Sequence, residues 1–171
     1  WNELKKGRQS PYLLKVGKKF SKNEFEKPSF YKLSEEEKGN EIFKKLIAPY
    51  KGKVIVVQFW NPSSYYQGKG LERIKEKRNL FANNNDIVFI HITNKNRSSL
   101  EKYNKSVQKN GFTNAIRIPQ DDYHYLRQLF KFNTSVHNLI VAKSGISIDE
   151  FNGIHQLEYK LADKFNIMPS K

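Results

Sequence analysis

The run Lys53 to Trp60, KVIVVQFW, constrains this chain more than any other stretch of its 171 residues. It is nearly continuous in apolar residues and rich in β-branched ones, which suit a pleated backbone. Such a run describes a strand covered on both faces, not one that alternates between core and water. A strand buried above and below needs a layer of helices on each side, so the run predicts an α/β domain with this strand at its centre. The length is sufficient for one domain with a substantial core.

The flanking patterns supply the other layers. Ser34 followed by Glu35, Glu36 and Glu37 is a capping-box pattern. Ile42, Phe43, Leu46 and Ile47 then recur at helical spacing until Pro49, predicting a helix from about Glu35 to Ile47. Downstream, Leu71, Ile74, Arg78 and Phe81 share one face of a charged helix that stops in the turn Asn83 to Asp86. A second β-rich run, Ile87 to Thr93, completes a βαβ unit whose strands are parallel neighbours. Helices follow at about Ser98 to Asn110, closed by Gly111, and at about Asp121 to Phe130. Leu139 to Ala142 and Ile146 to Phe151 then read as a hairpin across Lys143, Ser144 and Gly145. Leu157, Leu161 and Phe165 repeat every four residues, giving a final amphipathic helix. Glycines 68 and 70 disfavour an early helix start, so the helix before Phe81 is expected to begin near Gly70 or Leu71, leaving Asn61 to Lys69 as an irregular loop.

Composition narrows the chemistry. There is no cysteine, which removes disulfides, thiolate metal sites and thiol catalysis. The net charge of +14 draws anionic partners, but most of the basic residues are dispersed lysines and not an arginine and aromatic block, so nucleic acid is not the expected partner. No apolar run approaches the roughly 20 residues that cross a bilayer. Residues 1–33 read as a basic extension or linker: Trp1 to Lys27 carry eight Lys or Arg against three Glu, and Pro11 to Val16 offers one edge-strand segment. Trp1 in place of an initiator methionine fits a trimmed start. Residues 34–171 form the domain.

Several strings carry a family resemblance. Tyr50 to Trp60 (YKGKVIVVQFW) resembles the opening of TlpA-like and ResA-like thioredoxin domains of the bacterial cell envelope, where a Lys-Gly-Lys turn enters a strand ending in Phe-Trp. Ile87 to Asn94 (IVFIHITN) resembles their second core strand. Phe130 to Gly145 (FKFNTSVHNLIVAKSG) resembles the stretch that ordinarily carries a cis-proline before a strand and a turn. The aromatic-rich segment Asp122 to Leu126 is similar to one found in Bacteroidetes sequences of this kind. The likeness runs from about Leu46 to Phe165. It implies a thioredoxin-like fold, a central mixed sheet flanked by helices on both faces, and a place in the periplasm or cell envelope.

The same resemblance locates what is missing. The family's Cys-x-x-Cys falls on Ser64, Tyr65, Tyr66 and Gln67, its buried carboxylate on Gln58 and its cis-proline on Val136. A serine hydroxyl is not a thiolate at neutral pH, and Gln67 cannot resolve a mixed disulfide. The neutral amide of Gln58 cannot shuttle a proton. A cis bond before Val136 would cost about 2.5–4 kcal/mol, so that peptide is expected to be trans. The resemblance therefore implies a redox-inactive module that binds a peptide or envelope protein, or serves as a scaffold. Trp60, Tyr65 and Tyr66, with His137 nearby, are the expected aromatic rim of such a site.

Two other readings stay open. Ser64 and His137 are the best pair for a non-thiol enzyme, although no third group is evident and no nucleophile elbow is present. The basic surface is the other, as an anion-binding module. The Gly68-Lys69-Gly70 stretch departs from a dinucleotide loop, because Arg73 stands at the third glycine position. His91, His124, His137 and His155 show no paired ligand spacing. No metal and no cofactor is expected.

Overall fold

The computed structural model of the chain describes residues 31–32, 38–63, 68–145, 147–151 and 153–169. The predicted edge segment Pro11 to Val16 and the predicted helix start at Glu35 lie outside them. Among the described residues six strands form one sheet. They are β1 (Tyr31–Lys32), β2 (Val54–Phe59), β3 (Ile87–Asn94), β4 (Ala115–Ile118), β5 (His137–Val141) and β6 (Ser147–Phe151), in the order β1-β6-β5-β2-β3-β4. β2 pairs parallel with β3 and antiparallel with β5, and β3 pairs parallel with β4. The predicted βαβ unit and hairpin are both present, and the sheet is mixed.

β2 is central, and all six of its residues are buried. Its side chains alternate between faces, as a pleat requires. Ile55, Val57 and Phe59 enter a core formed with helices α1 (Lys38–Ile47) and α4 (Gln120–Leu129), through Phe43, Ile47, Tyr123 and Leu126. Val54 and Val56 enter the opposite core, where Leu157 and Leu161 of α5 (Leu157–Phe165) pack. Trp60, just past β2, meets Leu71 and Ile74 of α2 (Gly68–Asn79) on that second side, beside Tyr103 and Val107 of α3 (Leu100–Asn110).

Two glycines do positional work. Gly111 ends α3 at φ +60°, a left-handed cap that leaves the Phe112 N–H to reach the Val107 carbonyl at 3.1 Å. Gly39 is buried where α1 meets α4, and a Cβ there would lie 2.8 Å from the Tyr125 carbonyl oxygen.

Two expectations are corrected. α2 begins at Gly68, so Gly68 and Lys69 belong to the helix and not to a loop. Leu71 and Ile74 bury against Trp60 and Phe112, and this packing holds the turn despite its two glycines. The second correction is that β1 and β4 were not among the expected strands.

Candidate functional site

The candidate site is the end of the sheet where β2 finishes and β5 begins. The antiparallel register pairs Phe59 with His137 and Gln58 with Asn138, so Val136 stands one residue beyond the pair, at the end of the sheet that Trp60 also occupies. The Ser135–Val136 peptide is trans. Val136 is half-buried, and its carbonyl accepts a hydrogen bond from the Thr134 hydroxyl at 2.7 Å. Asn61, Pro62 and Ser63 turn away from β2, with the Ser63 N–H donating to Asn61 Oδ1 at 3.0 Å. Ser64, Tyr65, Tyr66 and Gln67 lie outside the described residues.

Gln58 is 2% exposed, and register gives it polar neighbours on both sides, His91 of β3 and Asn138 of β5. The Gln58 amide nitrogen donates to Asn138 Oδ1 at 3.4 Å, which leaves Oε1 to accept from His91 Nδ1–H at 3.0 Å. This chain of bonds fixes the neutral His91 tautomer with a bare Nε2. The imidazole stacks on Phe112 at 3.7 Å, with the rings 13° from parallel, and the Arg78 guanidinium lies 5.6 Å from the centroid of that same Phe112 ring. Burial, reinforced by the positive charge of Arg78, holds the His91 pKa down to about 3. At neutral pH the row Asn138, Gln58 and His91 is uncharged and has no group that takes up or releases a proton.

The expected rim is not assembled from Trp60 and His137. Trp60 is 1% exposed, edge-on to Phe112 at 5.1 Å and 6.1 Å from Tyr103. Its indole is core packing under α2, where it has no access to a ligand at the surface. His137 belongs to the other face: its ring stacks on Phe132 at 4.5 Å and lies 6.2 Å from Phe59. Its Nε2 is 3.7 Å from Glu150 Oε2, too long for a hydrogen bond. Successive residues of a strand point to opposite faces, which separates a residue at the end of β2 on one side from the start of β5 on the other.

His91, Asn138 and Glu150 were missed as site neighbours by sequence reading. Each becomes a neighbour only through strand register, which no local pattern encodes.

No family model matches the chain, and no curated protein matches it in sequence. Solved structures do resemble it. The thioredoxin domain of a thiol-disulfide oxidoreductase from Bacteroides vulgatus superposes with a TM-score of 0.58 at 18% identity, over 70% of this chain and 83% of that one. A thiol:disulfide interchange protein from a Bacteroides species gives 0.58 at 17% identity, over 70% and 77%. A thiol-disulfide oxidoreductase from Bacteroides fragilis gives 0.56 at 13%, over 67% and 82%. Likeness at these identities establishes the fold: the chain is a thioredoxin-like α/β domain, as the residues from Leu46 to Phe165 implied. The chain contains no cysteine.

Proposed function

We propose that this chain is a redox-inactive thioredoxin-like domain that acts as a binding or scaffold module of the bacterial cell envelope. The observation that carries the reading is a thioredoxin fold built from a polypeptide without a single cysteine. Thiol-disulfide exchange requires a thiolate to attack one sulfur and a second to release the product, and neither nucleophile exists here. The buried row beneath the site agrees with this. Where the family resemblance places a carboxylate able to move a proton, Gln58 is held by Asn138 and His91 in a neutral network.

Envelope placement draws on the resemblance and on the kinds of protein that share the fold, among them a secreted disulfide oxidoreductase of Mycobacterium tuberculosis with a TM-score of 0.51 at 16% identity. Among the described residues no helix is long and apolar enough to cross a membrane. With Trp60 and His137 engaged in the core, Tyr65 and Tyr66 are the remaining aromatic candidates for contact with a peptide or envelope protein.

Capture from bacterial envelope extracts on the immobilised chain tests this role. A bound partner should be retained equally with and without reductant, because no mixed disulfide forms, and should be lost from a Tyr65→Ser, Tyr66→Ser double variant. Capture that the double variant leaves unchanged removes those tyrosines from the binding surface, and capture that reductant abolishes contradicts the non-covalent reading.

A further inference from the structure

We propose that the groove between the end of α1 and the β5–β6 hairpin binds a small amphipathic carboxylate. The groove lies at the pole of the sheet opposite Trp60, beside the start of β2 and the end of β5. Its volume is about 290 Å³. The inference does not depend on residues 64–67.

The walls are tied together by backbone bonds. The Gly52 N–H donates to the Lys143 carbonyl at 3.3 Å, joining the turn after α1 to the hairpin. The Gly145 N–H donates to the Ala142 carbonyl at 2.8 Å and closes the hairpin loop, with Gly145 at φ +73°, a backbone conformation suited to glycine. Ile47, Ile55, Ala48 and Ala142 supply the apolar lining. Ile47 and Ile55 are buried at the floor, while Ala48 is exposed at the mouth.

The charged part of the lining has one sign. Lys44, Lys51 and Lys143 border the groove, and among the described residues no acidic one lines it. Lys143 has a carboxylate partner, Asp86, at 3.2 Å, but both side chains are at least half exposed, and such a pair is weak enough to yield its ammonium to a ligand. The C-terminal carbonyls of α1 oppose an anion with roughly half a charge, less than the charge that Lys51 and Lys143 bring to the border. The Ala48 carbonyl, in the turn just past α1, is already engaged by the Lys51 N–H at 3.3 Å.

These features select the ligand. Apolar walls favour a hydrocarbon or aromatic body, and the lysine border favours a single anionic head held at the mouth. The volume is at the lower end of small-molecule sites, which restricts the body to a short one and excludes a polymer. Lysine presents point charges without the planar fork of arginine, so recognition depends on charge and burial of the body more than on bidentate geometry.

Titration of the full chain with octanoate, followed by amide chemical shifts in 15N-labelled protein, tests the site. Saturable shifts are expected at Ile47, Ala48, Lys51, Ala142 and Gly145. Octanol, which lacks the charge, and inorganic phosphate, which lacks the body, should each bind about tenfold more weakly or worse. A Lys44→Gln, Lys51→Gln variant should weaken octanoate by about tenfold, and Ala48→Trp, at an exposed position, should block it while leaving the remaining spectrum in place. Octanol binding as tightly as octanoate, phosphate producing the same shifts, shifts spread over other lysine-rich surfaces, or unchanged affinity in Ala48→Trp would each overturn the proposal.

Discussion

Burial holds His91 neutral inside the sheet, where it is bonded to Gln58, and that makes the stability of the domain depend on pH. In the unfolded chain His91 titrates near the ordinary value of 6.5, whereas in the folded protein burial and Arg78 hold it at about 3. Between those limits the unfolded chain binds a proton that the folded one refuses. The contribution of His91 is therefore complete above about pH 6.5 and is lost progressively as pH falls toward about 3, by an amount on the order of a few kcal/mol. Urea unfolding at neutral and mildly acidic pH should show this slope in the wild type and a shallower one in His91→Gln. Equal slopes in the two proteins would show that His91 is not the group responsible. Removing the other end of the bond isolates a different quantity. Gln58→Ala strips the acceptor from His91 Nδ1–H and the donor from Asn138, leaving buried polar groups unpaired, and should cost about 1–3 kcal/mol in the same assay. The identity of Gln58 was legible from its place before Phe-Trp. Its partners were not, because they come from strands 33 and 80 residues away in sequence.

Elements show where local patterns suffice and where they fail. The ends of α3 and the position of the hairpin could be read directly, since Gly111 and the Lys143-Ser144-Gly145 turn are local backbone signals. β4 could not. It has four residues, AIRI, three of them only partly buried, and an arginine in the middle, so neither a continuous apolar run nor a clear alternation marks it. It becomes a strand because β3 offers it a free edge: His91 pairs with Ala115 and Asn94 with Ile118. Two substitutions test how helices are seated on the sheet. Gly39→Ala places a methyl group 2.8 Å from the Tyr125 carbonyl oxygen, forcing α1 and α4 apart, and should lower stability by about 1–3 kcal/mol in thermal or urea unfolding. On the other face, Asp149 is 3% exposed at its side chain, and its Oδ2 takes Lys160 at 2.8 Å and Lys164 at 3.0 Å, pinning α5 to β6. Asp149→Asn leaves those ammoniums without their charge partner. The loss should fall at the lower end of roughly 3–5 kcal/mol, because both lysines retain some solvent. Hydrogen exchange should accelerate in α5 before it does in β2 and β3.

At the scale of the whole molecule, the sheet and its two helical layers follow from a few long-range pairings around β2, and the residues that set them were prominent in the sequence. KVIVVQFW and IVFIHITN are apolar enough that no other placement than the centre would bury them. What the fold does with side chains at its rim is a separate matter. Trp60 and His137 were both expected at one aromatic rim, yet the pleat sends one beneath α2 and the other against Phe132. The fold is thioredoxin-like, while the sequence supplies no cysteine thiol. The most direct test is insulin reduction by dithiothreitol with and without the purified chain. The expected result is the rate of dithiothreitol alone at every protein concentration. A rate that rises in proportion to the chain would contradict the claim that this thioredoxin-like domain carries out no disulfide exchange.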